Sequence, residues 1–433
     1  MFLTVFSRPN GFTQCQKSSE RRPAQKILLS LAYWRHSSGR TWKDKQINAR
    51  ALFRYIGDRI MKFRGLIAVT ALLIAAPASA DDYQTEKGNI SVSIVASGLD
   101  QPWGLDFLPD GRMIVTEKPG QLRIITLDGK ISPPVKGVPR VDDSGQGGLL
   151  DVTLHPEFKT NRMVFVSFSE QGPGGASTAM ASGRLSADYT ALENARTLFS
   201  QQPKVPGSRH FGSRVIFAPD GTVFLTTGDR GKRHDAQKLG SHIGKVIRLT
   251  ADGKVPTDNP FIGKIGALPE IWSYGHRNIQ GAAIHPATGR LWTIEHGPRG
   301  GDEINIPAAG INHGWPLVSH GIEYSGAIIG DGLKTKAGMA DPVYIWTPVI
   351  APAGMTFYNG GLFPAWKGNL LIGGLRAGAI VRLELDDDKI VHEERLIRQI
   401  GDRIRDIAVG PDGAVYAITD SANGKILRIT PAL

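Results

Sequence analysis

The chain has 433 residues and a formal net charge of +11, but its first 80 residues carry that excess, with 14 Lys or Arg against 3 Asp or Glu. The other 353 balance 37 basic with 37 acidic residues, which excludes the basic footprint of a nucleic-acid binder from them. Cys15 is the only cysteine, so these 353 residues can form neither disulfides nor a CxxCH haem attachment, and a packed core must supply their stability.

Residues 61–80 read MKFRGLIAVTALLIAAPASA: a basic start (Lys62, Arg64), a short apolar run, then Ala78-Ser79-Ala80. This is the three-part build of a secretory signal, and the apolar run is too short for a bilayer span of about 20 residues. Cleavage after Ala80 would leave a periplasmic or secreted chain beginning at Asp81, with no membrane span. The preceding residues 1–60 are rich in Arg and Ser and have no sustained periodicity. Our expectation is that Met61 is the initiator; a cytoplasmic extension or an organellar transit segment is the alternative.

From residue 81 onward the chain repeats one unit: an apolar strand, a turn built on Pro, Asp or Gly, and a second apolar strand. Copies begin near 105, 150, 214, 281, 354 and 406, as in RVIFAPDGTVFLTTGD (214–229) and DIAVGPDGAVYAITD (406–420). Asp-Gly supplies the positive φ of a tight turn, and β-branched and aromatic flanks suit strands. One hairpin cannot bury its faces, whereas a ring of small sheets can. Six copies therefore predict an all-β, six-bladed β-propeller over 81–433, with the strand 424–430 pairing 90–99 to close the ring. A stacked β-solenoid is the alternative.

Residues with chemistry cluster where these units meet loops. Gln146 lies in GQGGLLD, His210 in RHFGSR and Asp229 in TTGDRG. Arg277 and Asn278 lie in YGHRNIQG, ahead of the run EHGPRGGDEIN (295–305). Arg376 lies in GGLRAG, and Arg403 and Arg405 in GDRIRD. Each arginine alone would read as a solvated surface charge, and His210 as a packing residue beneath a loop. His155 and His285, in His-Pro turns, read as turn or packing residues, and Asp302–Glu303 alone would read as a loop surface pair.

Taken in order, GHRNxQG, ExGPxxxDEIN, NxGWP (312–316) and RxRD resemble the soluble glucose and sorbosone dehydrogenases that use pyrroloquinoline quinone (PQQ), from about Gln101 to Ile429. The resemblance implies an enzyme that oxidises an aldose sugar at its anomeric carbon to a lactone and passes electrons to a separate acceptor. It implies His210 as base, Asp229 as its orienting acid, and Arg277 and Asn278 on the reactive quinone carbonyl. It implies Arg403, Arg405 and Arg376 as partners of the cofactor carboxylates, a role to which guanidinium forks are suited. Most of the family has Lys where this chain has Arg376. Gln146 matches a polar contact at the cofactor and sugar end. His234 stands where glucose-oxidising relatives carry a glutamine that touches substrate.

The resemblance further implies a Ca²⁺ beside PQQ, held by the backbone carbonyls of Gly297 and Pro298, and a second, structural Ca²⁺ with Glu303 as ligand. The family tyrosine that contributes at the second site is His313 here. Two other readings of a six-bladed propeller stand beside this one: a calcium-dependent lactonase, which would need carboxylate and Asn ligands gathered at the funnel, and a binding propeller without chemistry. The preferred aldose is not specified, and monomer and homodimer are both open.

Overall fold

The computed structural model describes residues 80–432; the expected signal and the extension before it lie outside the described residues apart from Ala80. Six antiparallel sheets follow one another along the chain. Their first strands are Pro102–Phe107, Leu149–Leu154, Gly212–Phe217, Ile279–Ile284, Pro352–Phe357 and Ile404–Val409. Each of these strands touches the first strand of the next sheet, and the sixth touches the first, so together they ring a central axis. This is the six-bladed propeller, and a closed ring rules out the solenoid.

The repeat dictates where the core forms. Between every pair of neighbouring blades lies one apolar cluster, for example Ile114, Leu122, Val152 and Val166 between blades 1 and 2, and Met113, Val115, Tyr416 and Ile418 between blades 6 and 1. Alternation sends one face of each sheet to the preceding blade and the other to the next, so strands such as Met113–Glu117 and Val223–Thr227 are buried along their whole length. His155 packs against Phe165 and Phe217, and His285 against Trp292 and Phe357. Both are therefore the packing residues that their turns suggest.

Closure is direct. The strand Ile90–Leu99 pairs antiparallel with Gly424–Pro431, from Ile90 opposite Pro431 to Leu99 opposite Gly424. The sixth blade thus takes strands from both ends of the described chain. Inner-strand carboxylates add further links: Asp106 accepts the N–H of Leu154 at 2.8 Å, Asp151 that of Val215 at 2.7 Å, and Asp406 that of Leu105 at 3.0 Å. Arg214 joins three blades through Asp151 (2.8 Å) and Asp406 (3.0 Å).

In all six blades the ladder between the first and second strands shifts register close to the start of the first strand, as between Gly212 and Val215 or Ile404 and Asp406. Such irregularities re-aim side chains and commonly border functional sites. Here they bring the loop entering each blade to one end of the axis.

Candidate active site

At that end lies a cavity of about 300 Å³. Every blade contributes to its lining: Gln101 and Trp103, Gln146 and Leu150, Phe211 and Gly212, Gln280 and His296, Ala351 and Leu375, and Arg403 with Arg405. The charged lining residues are Lys118, Arg403 and Arg405 against Asp420 alone, so the chamber is cationic.

Arg403 and Arg405 share that one carboxylate. Arg403 donates to Asp420 Oδ2 at 2.8 Å, and Arg405 donates to Oδ1 through Nη2 at 3.1 Å and to Gln280 Oε1 through Nη1 at 3.3 Å. Burial would raise the Asp420 carboxyl, but Arg405 and Arg403 outweigh it and hold the group below its usual range. Burial also pulls Arg405 down against the pull of Asp420. The solvated-surface reading fails for Arg405, whose side chain is 13% exposed, while Arg403 is 52% exposed at the mouth. Arg376 is exposed; its side chain makes no hydrogen bond or ion pair among the described residues, although its neighbour Leu375 lines the cavity.

His210 directly precedes the cavity residues Phe211 and Gly212. Its φ of +59° is a left-handed backbone that a non-glycine residue adopts at a cost, and such strain clusters at functional sites. The surroundings enforce it. Gln146 Oε1 accepts the His210 N–H at 2.6 Å, and Arg230 donates to the carbonyls of Arg209, Gly207 and Ala176 while lying over the Phe211 ring. His210 Nδ1–H donates to Asp229 Oδ1 at 2.7 Å, leaving Nε2 as the basic atom. Burial lowers the imidazole below its ordinary value against the pull of Asp229, and the charges of Arg277 and Arg209 lower it further. Burial would raise the Asp229 carboxyl, but the hydrogen bond from His210, the Gly231 N–H and the Arg277 charge together keep it low. The pair is a neutral base beside an ionised acid.

Arg277 and Asn278 lie where the chain enters blade 4. Glu295 Oε2 accepts both of their N–H groups, at 2.5 and 3.3 Å, and Arg277 Nη1 donates to the His296 carbonyl at 2.9 Å. Arg277 is buried and its Nε has no partner. Asn278 Oδ1 accepts from Gly212 N at 3.1 Å, which turns its amide N–H₂ into the donor end. His296 is not a second base: burial, outweighing a 2.6 Å donation to the Pro352 carbonyl, takes it down to about 3.

Gly297 and Pro298 form the turn after His296. Neither carbonyl accepts a hydrogen bond among the described residues, which leaves both available to a hard cation. Asp302 braces the turn by accepting from Gly297 N at 2.9 Å and Ala351 N at 2.8 Å. A Cβ on Gly297 would lie 2.3 Å from the Gly300 carbonyl, so the turn requires glycine there. Asp302 and Glu303 lie on a strand, Asp302–Asn305, and not on a surface loop. Burial and the neighbouring Glu295 push Glu303 up to about 8. Asn305 donates to Glu303 at 3.1 Å and its own Oδ1 is buried without a partner, so two oxygen donors stand together; both ring nitrogens of the nearby buried His313 also lack partners. Among the described residues no three His, Cys, Asp or Glu side chains gather as a metal cluster.

Against known proteins, residues 99–428 match the family model described as Glucose / Sorbosone dehydrogenase. The chain belongs to that family. An aldose sugar dehydrogenase of Escherichia coli (strain K12) is 43% identical over 369 residues, covering 84% of this chain and 97% of that protein. The crystal structure of the soluble aldose sugar dehydrogenase from Escherichia coli in the apo-form superposes with a TM-score of 0.77 at 44% identity, covering 79% of this chain and all of that one. The PQQ-bound form of an aldose sugar dehydrogenase from Streptomyces coelicolor gives 0.63 at 26% identity, covering 78% and 98%.

Within this family member the structure brings together Gln146, His210, Asp229, Arg277, Asn278, Arg403 and Arg405. It leaves Arg376 and His234 exposed, the latter on the turn Arg233–Gln237. Sequence reasoning missed Trp103, Asp420, Gln280, Glu295 and Arg214. The aspartates that end AITD (417–420) and TTGD (226–229) both follow the second strand of their blades, one residue past Thr419 and two past Thr227, and that similarity was the available signal for Asp420.

Proposed function

We propose that this chain is a periplasmic or secreted quinoprotein that oxidises aldose sugars at the anomeric carbon to lactones, using PQQ and Ca²⁺ and passing electrons to a separate acceptor. The observation that carries the reading is the 2.7 Å His210–Asp229 pair beside a cavity whose charges are three cations against one carboxylate. That charge balance suits a planar tricarboxylate, and the indole of Trp103 offers it an aromatic surface. The volume is at the small end of the roughly 300–1,000 Å³ usual for ligand pockets.

Arg403 and Arg405 would hold cofactor carboxylates, the second from a largely buried position where a charge-assisted contact is strongest. Arg277 Nε, buried without a partner, and the Asn278 amide would donate to the reactive carbonyl. The free carbonyls of Gly297 and Pro298 would hold Ca²⁺. When bound, PQQ supplies the acceptor for the hydride leaving the anomeric carbon. His210 Nε2 takes the hydroxyl proton from the same carbon, and Asp229 stabilises the imidazolium that forms. Loss of that proton and hydride leaves the lactone.

The arginine-rich floor argues against the calcium-dependent lactonase, which would need side-chain ligands gathered at the axis. The deciding experiment adds PQQ and Ca²⁺ to cofactor-free protein with glucose and an artificial electron acceptor. Dye reduction dependent on PQQ supports the proposal. Lactone hydrolysis without PQQ, and no dye reduction with any aldose, would overturn it.

A further inference from the structure

Trp315, in the run NHGWP, has no role among the base, cofactor and cation residues above. It lies within the long connection between the strands Asp302–Asn305 and Tyr344–Trp346, and it is buried. Its indole Nε1–H donates to Asp229 Oδ2 at 2.9 Å. Asp229 thus divides its two oxygens: Oδ1 takes His210 Nδ1 and the Gly231 N–H, and Oδ2 takes the indole.

The ring is held from several sides. The guanidinium carbons of Arg277 and Arg233 lie 5.4 and 5.6 Å from the ring centroid, and Arg233 is ion-paired with Glu323. The Trp315 N–H donates to the Gly275 carbonyl at 2.9 Å, and its own carbonyl accepts from Gln237 Nε2 at 2.8 Å. The indole therefore has little freedom to leave the carboxylate. A donor on the outer oxygen draws negative charge away from the oxygen facing the imidazole, and it also fixes the rotation of the carboxylate.

We propose that Trp315 is a positioning residue of this site, setting the orientation and basicity of His210 through Asp229. The proposal rests on reading His210 as the base. The charged and titratable groups around His210 are Asp229 and, over the neighbouring Phe211 ring, Arg230 from blade 3, Arg277 and His296 from blade 4, and Arg209 from its own loop. None of these is altered by Trp315→Phe, which keeps an aromatic ring between Arg277 and Arg233 and removes only the N–H.

The test is an NMR titration of the His210 imidazole in cofactor-free wild type and Trp315→Phe. With the indole donor gone, Asp229 holds more charge against the imidazole, so the His210 midpoint is expected to move to higher pH. In the PQQ-loaded protein, single-turnover reduction of the cofactor by excess aldose should slow on the order of 10-fold, the loss of one charge-assisted bond, with PQQ affinity unchanged. An unchanged His210 midpoint in a folded variant overturns the proposal. Should the variant fail to fold, the indole N–H resonance of Trp315 in the unsubstituted protein must move with the His210 titration, and a resonance that stays flat overturns it equally. Wild type that fails to oxidise any aldose would instead count against the dehydrogenase reading and leave the titration result standing.

Discussion

Glu295 accepts the backbone N–H of Arg277 at 2.5 Å while the same carboxylate takes His276 Nδ1–H at 2.9 Å. The segment that carries Arg277 and Asn278, next to the cavity residues Gln280 and His296, is thus hung on one buried acid of the neighbouring strand.

Glu295→Gln should therefore act on both stability and cofactor capture. A glutamine cannot accept with both ends, so at least one buried donor loses its partner at about 1–3 kcal/mol. Urea denaturation should register that loss, and titration with PQQ should show weaker binding as Arg277 loses its support. A variant with wild-type stability and affinity would mean that Glu295 does not organise this segment.

Arg403→Ala and Arg405→Ala should both weaken PQQ binding and leave the sugar concentration dependence of fully loaded enzyme nearly unchanged. The effect should be larger for Arg405, which is more buried and also anchors Gln280. Loss of one charge-assisted contact corresponds to roughly 10–100-fold in affinity. Fluorescence-monitored reconstitution at limiting PQQ measures the order; equal reconstitution of all three proteins would remove these arginines from the cofactor site.

His210→Ala should load PQQ and Ca²⁺ normally yet lose about 10²–10⁴-fold in turnover, the usual worth of a positioned general base. In wild type, burial lowers the imidazole below its ordinary value. The base is active when deprotonated, so kcat/KM should rise with pH through a midpoint below about 6.5, the unperturbed histidine value. A midpoint above that value, or a variant whose cofactor is reduced at the wild-type rate, would contradict the assignment.

His296, at about 3, makes a separate acid-stability prediction. Its folded value lies below the unfolded value of about 6.5, so between those limits the unfolded chain binds the extra proton, and stability is lost as pH falls. His296→Gln keeps a donor for the Pro352 carbonyl without the titration. The stability difference between wild type and variant should shift by about 2 kcal/mol in favour of the variant from pH 7 to pH 5, at about 1.4 kcal/mol per unit below pH 6.5. Parallel unfolding curves at the two pH values would show that His296 does not titrate this way.

The propeller was legible because its unit is local. Asp-Gly turns with β-branched flanks, as in 214–229 and 406–420, encode a hairpin in three copies and other Pro, Asn or Gly turns do so in the rest, and six such hairpins point to a ring. The site was legible only where a motif carried it. Arg214, Asp151 and Asp406 form one ion cluster from three blades, and nothing in the spacing of residues 63 and 192 positions apart signals that they meet. Trp315 reaches Asp229 from a connection with no strand of its own, where periodicity says nothing. The repeated register shift that aims Arg405 and Gln280 is likewise invisible in sequence, because the strand pattern on either side continues unbroken.

The pairing of Ile90–Leu99 with Gly424–Pro431 also sets an order of events during synthesis. Apart from the short Asp81–Tyr83 strand at its outer edge, the early strand has no partner in its own blade until Gly424–Pro431 has been made, so the ring stays open while the first five blades assemble. Arg403 and Arg405 likewise arrive only with the sixth blade. A nascent chain therefore has hairpins long before it has a complete chamber, and a ligand that needs Arg403 and Arg405 can load only once the sixth blade has been made.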